Sequence, residues 1–219
     1  LRSEAVQAGM EALNAGAETD AARLVGGSVR NTLMGCEVSD FDIATRLLPD
    51  EVMSRGKRAG FSVHPTGIEH GTITLVKQHI PFEITTLRQD VTTDGRRATV
   101  AFTQDWTSDA RRRDFRMNAI YASADGTLHD PTGGGIDDAL AGRVIFIGDG
   151  DTRLREDYLR ILRFFRFNAR YGREMDADGL AACARQASGL TRIAVERIWK
   201  EFAQILTAPF SVPTLHAMR

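Results

Sequence analysis

A glycine pair followed by two closely spaced aspartates constrains this chain more than any other feature. Gly26 and Gly27 follow an apolar, strand-like segment that ends at Val25, and they let the backbone approach a bulky anion. Ser28 is predicted to cap a helix that runs to about Leu33. A helix start offers unpaired N–H groups and the positive end of the dipole, so the segment predicts a triphosphate site.

The aspartates predict a metal site beside that helix. Asp40 and Asp42 stand two apart in a predicted strand, so both side chains point to one face and can share divalent cations. Carboxylate and phosphate oxygens are ligands for hard cations, so the predicted cofactor is Mg²⁺. The two segments together are typical of a nucleotidyltransferase site.

Glu83 is the predicted third carboxylate. In the strand Ile80–Leu87, Phe82 and Ile84 are expected to face the core and Glu83 the opposite side. If this strand lies beside the one with the aspartates, the carboxylates converge as two-metal phosphoryl transfer requires. The alternative is a solvated strand residue.

Composition limits the class of protein. The chain has 219 residues, 42% of them hydrophobic, and a formal net charge of −1. It has no apolar run of about 18 residues and no signal-peptide pattern, so we expect no membrane association and a cytoplasmic location. Cys36 and Cys183 lack partners at zinc-ligand spacing and are predicted to be reduced thiols. The chain lacks an initial Met and ends at Arg219, which suggests an excerpt of a longer protein.

Two regions differ in their predicted secondary structure. The first mixes helices and strands, with a helix over residues 4–15 and strands over 71–76, 80–87 and 117–123. The polar stretch of residues 88–108 is predicted to be a mobile loop over the site, with idle disorder as the alternative. Strand signals vanish from Arg153 onward, so we divide the chain into residues 1–148 and 149–219.

A basic cluster precedes the last predicted strand. Arg113 and its two preceding arginines are candidates for binding phosphates, and Asp114 for accepting hydrogen bonds from ribose hydroxyls. The amide of Asn118 is a further nucleotide-binding candidate. The alternative is a charged surface turn.

The helix predicted after Arg155 has an arginine stripe opposite its apolar face. Arg160 and Arg163 belong to this stripe, and Glu156 and Asp157 are expected to open the helix. Asp157 and Arg160 are three apart, so together they can present a donor and an acceptor to a nucleotide base. The alternative is an ordinary amphipathic helix with solvated arginines.

In sequence order, these segments closely resemble the class II tRNA nucleotidyltransferase and poly(A) polymerase family, within the DNA polymerase β-like superfamily. The resemblance extends from about Leu24 to Arg173. The matching motifs are Gly27-Ser28, Asp40-Phe41-Asp42, Glu83-Ile-Thr-Thr-Leu-Arg88, Asp94-Gly-Arg-Arg97, Arg112-Arg-Asp-Phe115, Asp130-Pro-Thr-Gly-Gly134 and Glu156-Asp-Tyr-Leu-Arg160.

The resemblance implies an α+β fold: a nucleotidyltransferase head with a mixed, largely antiparallel sheet flanked by helices, then an all-α neck that selects the base. It implies that Asp40 and Asp42 ligate magnesium and that Glu83 is the third acidic residue. It assigns triphosphate contacts to the helix start and ribose recognition to the basic cluster. The residues it assigns to nucleotide binding are Gly26, Gly27, Ser28, Arg30, Arg113, Asp114, Asp157 and Arg160; Arg163 and Asn118 complete our candidate set.

Two residues depart from the family pattern. Asn31 stands where the family usually has Asp, which removes a negative charge near the triphosphate. Arg116 replaces the usual Thr after Arg-Arg-Asp-Phe and adds bulk and charge. Neither change removes an expected metal ligand.

The function that the resemblance implies is addition of CCA to the 3′ acceptor end of tRNA, with CTP and ATP as substrates. Alternatives are an enzyme that adds only A, a poly(A) polymerase, a small-molecule nucleotidyltransferase and an inactive RNA-binding module. The element at Asp94-Gly-Arg-Arg97 favours complete CCA or A addition over CC addition. The sequence gives no prediction of the oligomeric state.

Overall fold

A seven-stranded mixed sheet organises the first part of the chain. The computed structural model describes residues 4–94 and 97–219, and in it the strand order is β3-β4-β5-β2-β1-β8-β9. The strands of this sheet are β1 (Ala22–Val25), β2 (Phe41–Thr45), β3 (Ser62–Gly67), β4 (Thr72–Lys77), β5 (Ile80–Thr86), β8 (Tyr121–Ala122) and β9 (Leu128–His129). Helices α1 (Glu4–Asn14), α2 (Gly27–Leu33), α3 (Pro49–Arg58), α4 (Trp106–Arg111) and α5 (Gly135–Ala141) accompany it.

The sheet is antiparallel except at its centre. The pair β2–β5 is parallel, whereas the other pairs in the sheet, such as β1–β2 and β4–β5, run antiparallel. Gln78 and His79 join β4 to β5 with φ of 51° and 63°, the positive values that a two-residue hairpin turn requires. The predicted mixed, largely antiparallel sheet is confirmed.

Alternating burial places one face of the central strands against the core. Phe82 and Ile84 of β5 are each 1% exposed, while Glu83 between them is exposed. Val6 and Met10 of α1 pack into the same core cluster. The expected inward and outward pattern of β5 is therefore correct, because successive side chains leave a strand on opposite faces.

The segment predicted as a mobile loop contains a second, two-stranded sheet. Strands β6 (Arg88–Asp94) and β7 (Arg97–Phe102) pair in antiparallel register, so the loop prediction is wrong. The sequence contains a hairpin signal, because β-branched residues flank an Asp94-Gly dipeptide. The loop prediction rested instead on the high polarity of the stretch. The two central residues of the predicted motif, at 95–96, lie outside the described residues.

Two other predicted elements have different bounds. Asp40 precedes β2 by one residue instead of lying inside it. The strand predicted over 117–123 is only Tyr121–Ala122, preceded by a single 3-10 turn over Arg116–Asn118.

Residues 150–219, all of them described, contain helices and no strand. The α-helices of this helical region are α6 (Gly150–Glu156), α7 (Leu159–Tyr171), α8 (Ala177–Gln186), α9 (Val195–Leu206) and α10 (Ser211–Ala217). A 3-10 helix over Ala187–Arg192 joins α8 to the segment before α9.

The arginine-striped helix begins later than predicted. Glu156 ends α6, and Asp157 lies between the helices in an extended conformation with φ of −152°. Asp157 Oδ1 accepts a hydrogen bond from Leu159 N at 3.1 Å. Such a local side-chain to backbone bond favours a break over a continuous helix, so the expectation that Glu156 and Asp157 open one helix is wrong.

The core runs without interruption from the sheet into the helices. Phe115 contacts the rings of Phe146, Phe164 and Phe167, with centroids 5.0, 6.4 and 5.3 Å away. One cluster of buried residues includes members from Ala5 to Ala208. The division at 148/149 stays a prediction, and the two regions share this core.

Within residues 4–94 and 97–219, no helix has both the length and the apolar character needed to cross a membrane. Cys36 is exposed, Cys183 is buried, and both are free thiols.

Candidate functional site

Strand register brings two of the predicted carboxylates together. Asp42 on β2 is the direct partner of Glu83 on the parallel strand β5. Residues in register on neighbouring strands project from the same face of the sheet, so the two carboxylates lie side by side. Asp40 lies exposed just before β2, and its Oδ2 accepts a hydrogen bond from Ser39 Oγ at 3.0 Å. The expected neighbourhood of β2 and β5 is thus observed.

The electrostatics of this edge suit a hard cation. Burial raises the pKa of Asp42, and the negative charges of Glu83 and Asp40 raise it further, while Arg113 opposes them. Among the described residues, no group of three or more His, Cys, Asp or Glu side chains is arranged so that it could hold a metal ion by itself. The carboxylate oxygens nevertheless fit a divalent cation that completes its shell with phosphate oxygens and water.

The start of α2 has the form expected of an anion site but a different cap. Gly26 precedes the helix with φ of +69°, a conformation that favours glycine. Ser28 therefore falls inside the helix, and its Oγ donates to Val25 O at 3.3 Å. The prediction that Ser28 caps α2 is wrong, because the residue with the capping position, Gly26, has no side chain.

Arg30 is a buried cation held by neutral groups. Its residue is 6% exposed, and its guanidinium donates to Asn31 Oδ1, to Asn118 Oδ1 at 2.5 Å and to Tyr171 Oη at 2.8 Å. The guanidinium also lies over the Tyr171 ring, 4.2 Å from its centroid. Burial lowers the pKa of Arg30. At Asn31, the chain thus places an amide where the family pattern has a carboxylate, and that amide accepts from this cation.

Asp114 is saturated with hydrogen bonds from protein groups. Its Oδ1 accepts from Phe115 N at 2.8 Å and from Asn118 Nδ2 at 3.0 Å. Its Oδ2 accepts two bonds from the Arg163 guanidinium, at 2.8 and 2.5 Å. Arg163 and the other partners hold the pKa of Asp114 below its usual value despite burial. The residue therefore ties the helical region to the sheet region, whatever it offers to a ribose.

Arg113 is held from below by Asp109, a residue that the sequence interpretation missed. Asp109 is 1% exposed and accepts from the guanidinium of Arg113 at 3.0 Å, from Arg112 Nε at 2.8 Å and from Tyr121 Oη at 2.8 Å. Despite the opposing effect of burial, these partners lower the pKa of Asp109 to about 2. The spacing of four between Asp109 and Arg113 in a helical turn was the available signal.

The predicted base-selecting pair is present, but its members are bound to other groups. Arg160 Nη1 donates to Glu156 Oε2 at 2.5 Å and to Arg153 O at 2.8 Å. Asp157 Oδ2 accepts from Arg197 Nη2 at 3.2 Å. Asp157 and Arg160 thus lie at one place on the surface, and each holds a different side chain.

A cleft of about 610 Å³ collects most of the candidate residues. It lies between the start of α2, the basic cluster and α7. Its lining includes the candidates Gly26, Gly27, Arg30, Asp42, Arg113, Asp114, Asn118, Asp157, Arg160 and Arg163, together with Arg88, Arg112, Leu159, Phe167 and Arg197. A second cleft of about 260 Å³ also borders Arg30 and Asp42, and Asp40 lies there. Ser28 and Glu83 line neither cleft.

Sequence comparison identifies the family. The family described as "Poly A polymerase head domain" matches residues 22–145, more than half of the chain. The chain belongs to this family. A second family, described as "Probable RNA and SrmB- binding site of polymerase A", matches residues 174–219.

Individual members of the family are similar to this chain in sequence. The chain is 46% identical over 191 residues to CCA tRNA nucleotidyltransferase 1, mitochondrial, of Homo sapiens, covering 84% of this chain and 43% of the human protein. It is 39% identical over 193 residues to a CCA-adding enzyme of Geobacillus sp., covering 87% of this chain and 46% of that protein. The chain thus spans somewhat less than half the length of these relatives.

Solved structures of family members have the same fold. The crystal structure of the Bacillus stearothermophilus CCA-adding enzyme in complex with CTP matches with a TM-score of 0.87 and 32% identity, over 97% of this chain and 50% of that one. A tRNA nucleotidyltransferase complexed with a primer tRNA and an incoming ATP analog matches with a TM-score of 0.73 and 28% identity, over 89% and 55%. The α+β fold and the family resemblance inferred from the motifs are confirmed.

Proposed function

We propose that this chain is the catalytic part of an enzyme that adds C, C and A to the 3′ end of tRNA, without a nucleic-acid template, from CTP and ATP. The observation that carries the proposal is the register of Asp42, which lines the basic cleft, against Glu83 on the neighbouring strand. The named relatives and the structures with CTP, or with tRNA and an ATP analog, support the choice of substrates.

In the proposed site, the triphosphate lies between the start of α2 and the arginine side chains of the cleft. The N–H groups at the start of α2, with Arg30 and Arg113, bind phosphate oxygens in this arrangement. Asp42 and Asp40 are the proposed Mg²⁺ ligands, with Glu83 as the third acidic group. Magnesium held by these carboxylates would supply electrostatic stabilisation of the charge that develops on the phosphate oxygens. The chain's own residues orient the triphosphate in line with the 3′-hydroxyl of the tRNA.

The base is selected on the opposite side of the cleft. Asp157 accepts from the exocyclic amino group of C or A, and Arg160 donates to a ring acceptor. G and U present a carbonyl where C and A present an amino group, so a carboxylate at that place rejects them. Each unsatisfied buried polar group costs about 1–3 kcal/mol.

The test uses the intact protein with Mg²⁺ and labelled CTP or ATP. The acceptors are three tRNAs: one that ends before the first C, one before the second C and one before the A. Growth by the missing residues and then arrest is the expected result. Addition of A alone to the CC-ending tRNA identifies an A-adding enzyme, and long A tails on unrelated RNA identify a poly(A) polymerase. The absence of any transfer, with retained RNA binding, leaves the inactive RNA-binding module.

The location of the protein stays a prediction. The expectation from the sequence is the cytoplasm, whereas the relatives from human and mouse carry a mitochondrial name.

A further inference from the structure

Arg197 lies on α9, outside every motif that predicts the site. Its side chain is 52% exposed and lines the 610 Å³ cleft opposite the basic cluster. Its Nη2 donates to Asp157 Oδ2 at 3.2 Å, a contact that spans 40 residues of sequence. This arginine therefore connects the helix α9 to the carboxylate between α6 and α7.

The contact completes a two-point hold on the Asp157 carboxylate. Oδ1 accepts from Leu159 N at 3.1 Å, and Oδ2 accepts from Arg197. An ionised carboxylate has about four acceptor sites, so two of them stay open toward the cleft. With both oxygens held, the carboxylate has a fixed plane, and its open acceptor sites have a fixed direction.

Orientation matters here because the partner is a flat, directional edge. The exocyclic amino group of C or A donates a hydrogen bond, and the matching carbonyl of U or G accepts one. A carboxylate with a fixed plane accepts the hydrogen bond of the amino group of C or A in a straight line. The same carboxylate repels the carbonyl oxygen of U or G, because both carry negative charge. If the side chain rotates freely, it can turn away from the carbonyl and the mismatch costs less.

We propose that Arg197 is a specificity-determining positioning residue, which holds Asp157 in the orientation that accepts an amino group of the incoming base. The inference rests on the proposed function, because it assigns a role within the same nucleotide site. Arg197 donates to the Asp157 carboxylate in the structure. It acts through Asp157.

A purely structural role has a different signature. The pair is solvent-exposed on both sides, 52% for Arg197 and 36% for Asp157, and exposed pairs contribute little to stability. Its removal is expected to shift Tm by at most about 4 °C. Base choice and stability therefore separate the two interpretations.

The test compares Arg197→Ala and Arg197→Lys with a matched control, Lys200→Ala. Lys200 is an exposed basic residue on the same helix, and it lines neither cleft. The measurement is kcat/KM for C and for U addition to a tRNA that ends before the first C, together with KM for that tRNA. We expect Arg197→Ala to lower the C over U ratio about tenfold, which corresponds to 1.4 kcal/mol.

The controls make the result specific. Arg197→Lys keeps a donor and a positive charge, so it is expected to restore part of the ratio. Lys200→Ala is expected to keep the wild-type ratio. An unchanged ratio in Arg197→Ala overturns the proposal, as does a loss of activity with equal factors for C and U.

Failure of the proposed function is recognised separately. If the unmutated protein transfers no nucleotide to any tRNA, the function is wrong. In that case the equilibrium affinities for CTP and UTP, measured by calorimetry, still test the inference. A CTP over UTP preference that Arg197→Ala leaves unchanged rejects the role of Arg197 without reference to catalysis.

Discussion

The two sides of the 610 Å³ cleft are built in different ways. On the sheet side, the pairing of β2 with β5 fixes Asp42 beside Glu83. On the helical side, Asp157 and Arg160 take their positions from side-chain contacts with Arg197 and Glu156. The backbone hydrogen bonds of a central parallel pair cannot shift without breaking the sheet, whereas a side chain can exchange partners. The sheet side is therefore held by its backbone, whereas the helical side depends on neighbouring side chains.

The sheet side is expected to be the more sensitive to substitution. Asp42→Asn keeps the shape of the side chain and removes one negative charge from the carboxylate edge. We expect kcat for nucleotide addition to fall by about 10³-fold, the scale of losing a preorganised electrostatic group at the reaction centre. Single-turnover incorporation of labelled CTP measures it. Glu69→Gln, at an exposed carboxylate that lines neither cleft, is the control, and a similar loss there contradicts the assignment.

The second largest effect is expected from the contact between Asp114 and Arg163, which joins the two sides of the cleft. Asp114→Ala removes the acceptor of Arg163, Asn118 and Phe115 N and leaves a partly buried guanidinium without its carboxylate. Breaking a buried pair costs about 3–5 kcal/mol, and Arg163 is 34% exposed, so we expect about 3 kcal/mol.

Urea unfolding at neutral pH measures this cost. The matched control is Glu51→Ala, which removes the half-exposed partner of Arg55 and is expected to cost much less than Asp114→Ala. If the two variants lose equal stability, Asp114 does not connect the sheet to α7 in the way the hydrogen bonds indicate.

The sheet side also has an acid-sensitive support. The pKa of Asp109 is about 2 in the folded protein and 3.8 as the ordinary value. A depressed pKa contributes stability that is complete above the ordinary value and is lost as the pH falls from about 3.8 toward 2. The full contribution is about 2 kcal/mol.

Unfolding free energies of the wild type and of Asp109→Asn between pH 5 and pH 3 measure this contribution. The wild type is expected to lose stability faster as the pH falls, because Asn does not titrate in this range. Parallel curves for the two proteins would show that Asp109 is not the titrating support of Arg113.

The smallest expected effect concerns the hydroxyl of Tyr171. Tyr171→Phe removes the acceptor that Arg30 Nη2 reaches at 2.8 Å and Arg170 Nε at 3.1 Å, and keeps the ring. A net loss of about 1 kcal/mol is expected, the usual contribution of one hydrogen bond. The experiment is thermal unfolding with and without CTP. An unchanged Tm, with unchanged stabilisation by CTP, contradicts a role of this hydroxyl.

Prediction from the sequence succeeded where period and register decide the structure. The alternation at Phe82, Glu83 and Ile84 places the carboxylate on the open face of β5, and the pairing of β2 with β5 places Asp42 beside it. The alternation follows from the period of a strand.

Prediction failed where local contacts compete with a pattern. Gly26, not Ser28, occupies the capping position before α2, because the chain turns there with a positive φ. The helix break at Asp157 depends on one bond from Leu159 N. The partners of Arg30, at Asn118 and Tyr171, lie 88 and 141 residues away in sequence, and no periodicity indicates such contacts.

Arg30 borders both clefts, and this placement has a thermodynamic consequence. One guanidinium of fixed charge stands in the wall between two cavities, with amide and phenol oxygens as its neighbours. If an anion binds in each cleft, both anions interact with the same buried positive charge, so binding in one cleft is expected to alter the affinity of the other. Linkage requires that the effect be equal in both directions, by the same factor. Because the two clefts share one buried cation, their affinities for anions are expected to be linked.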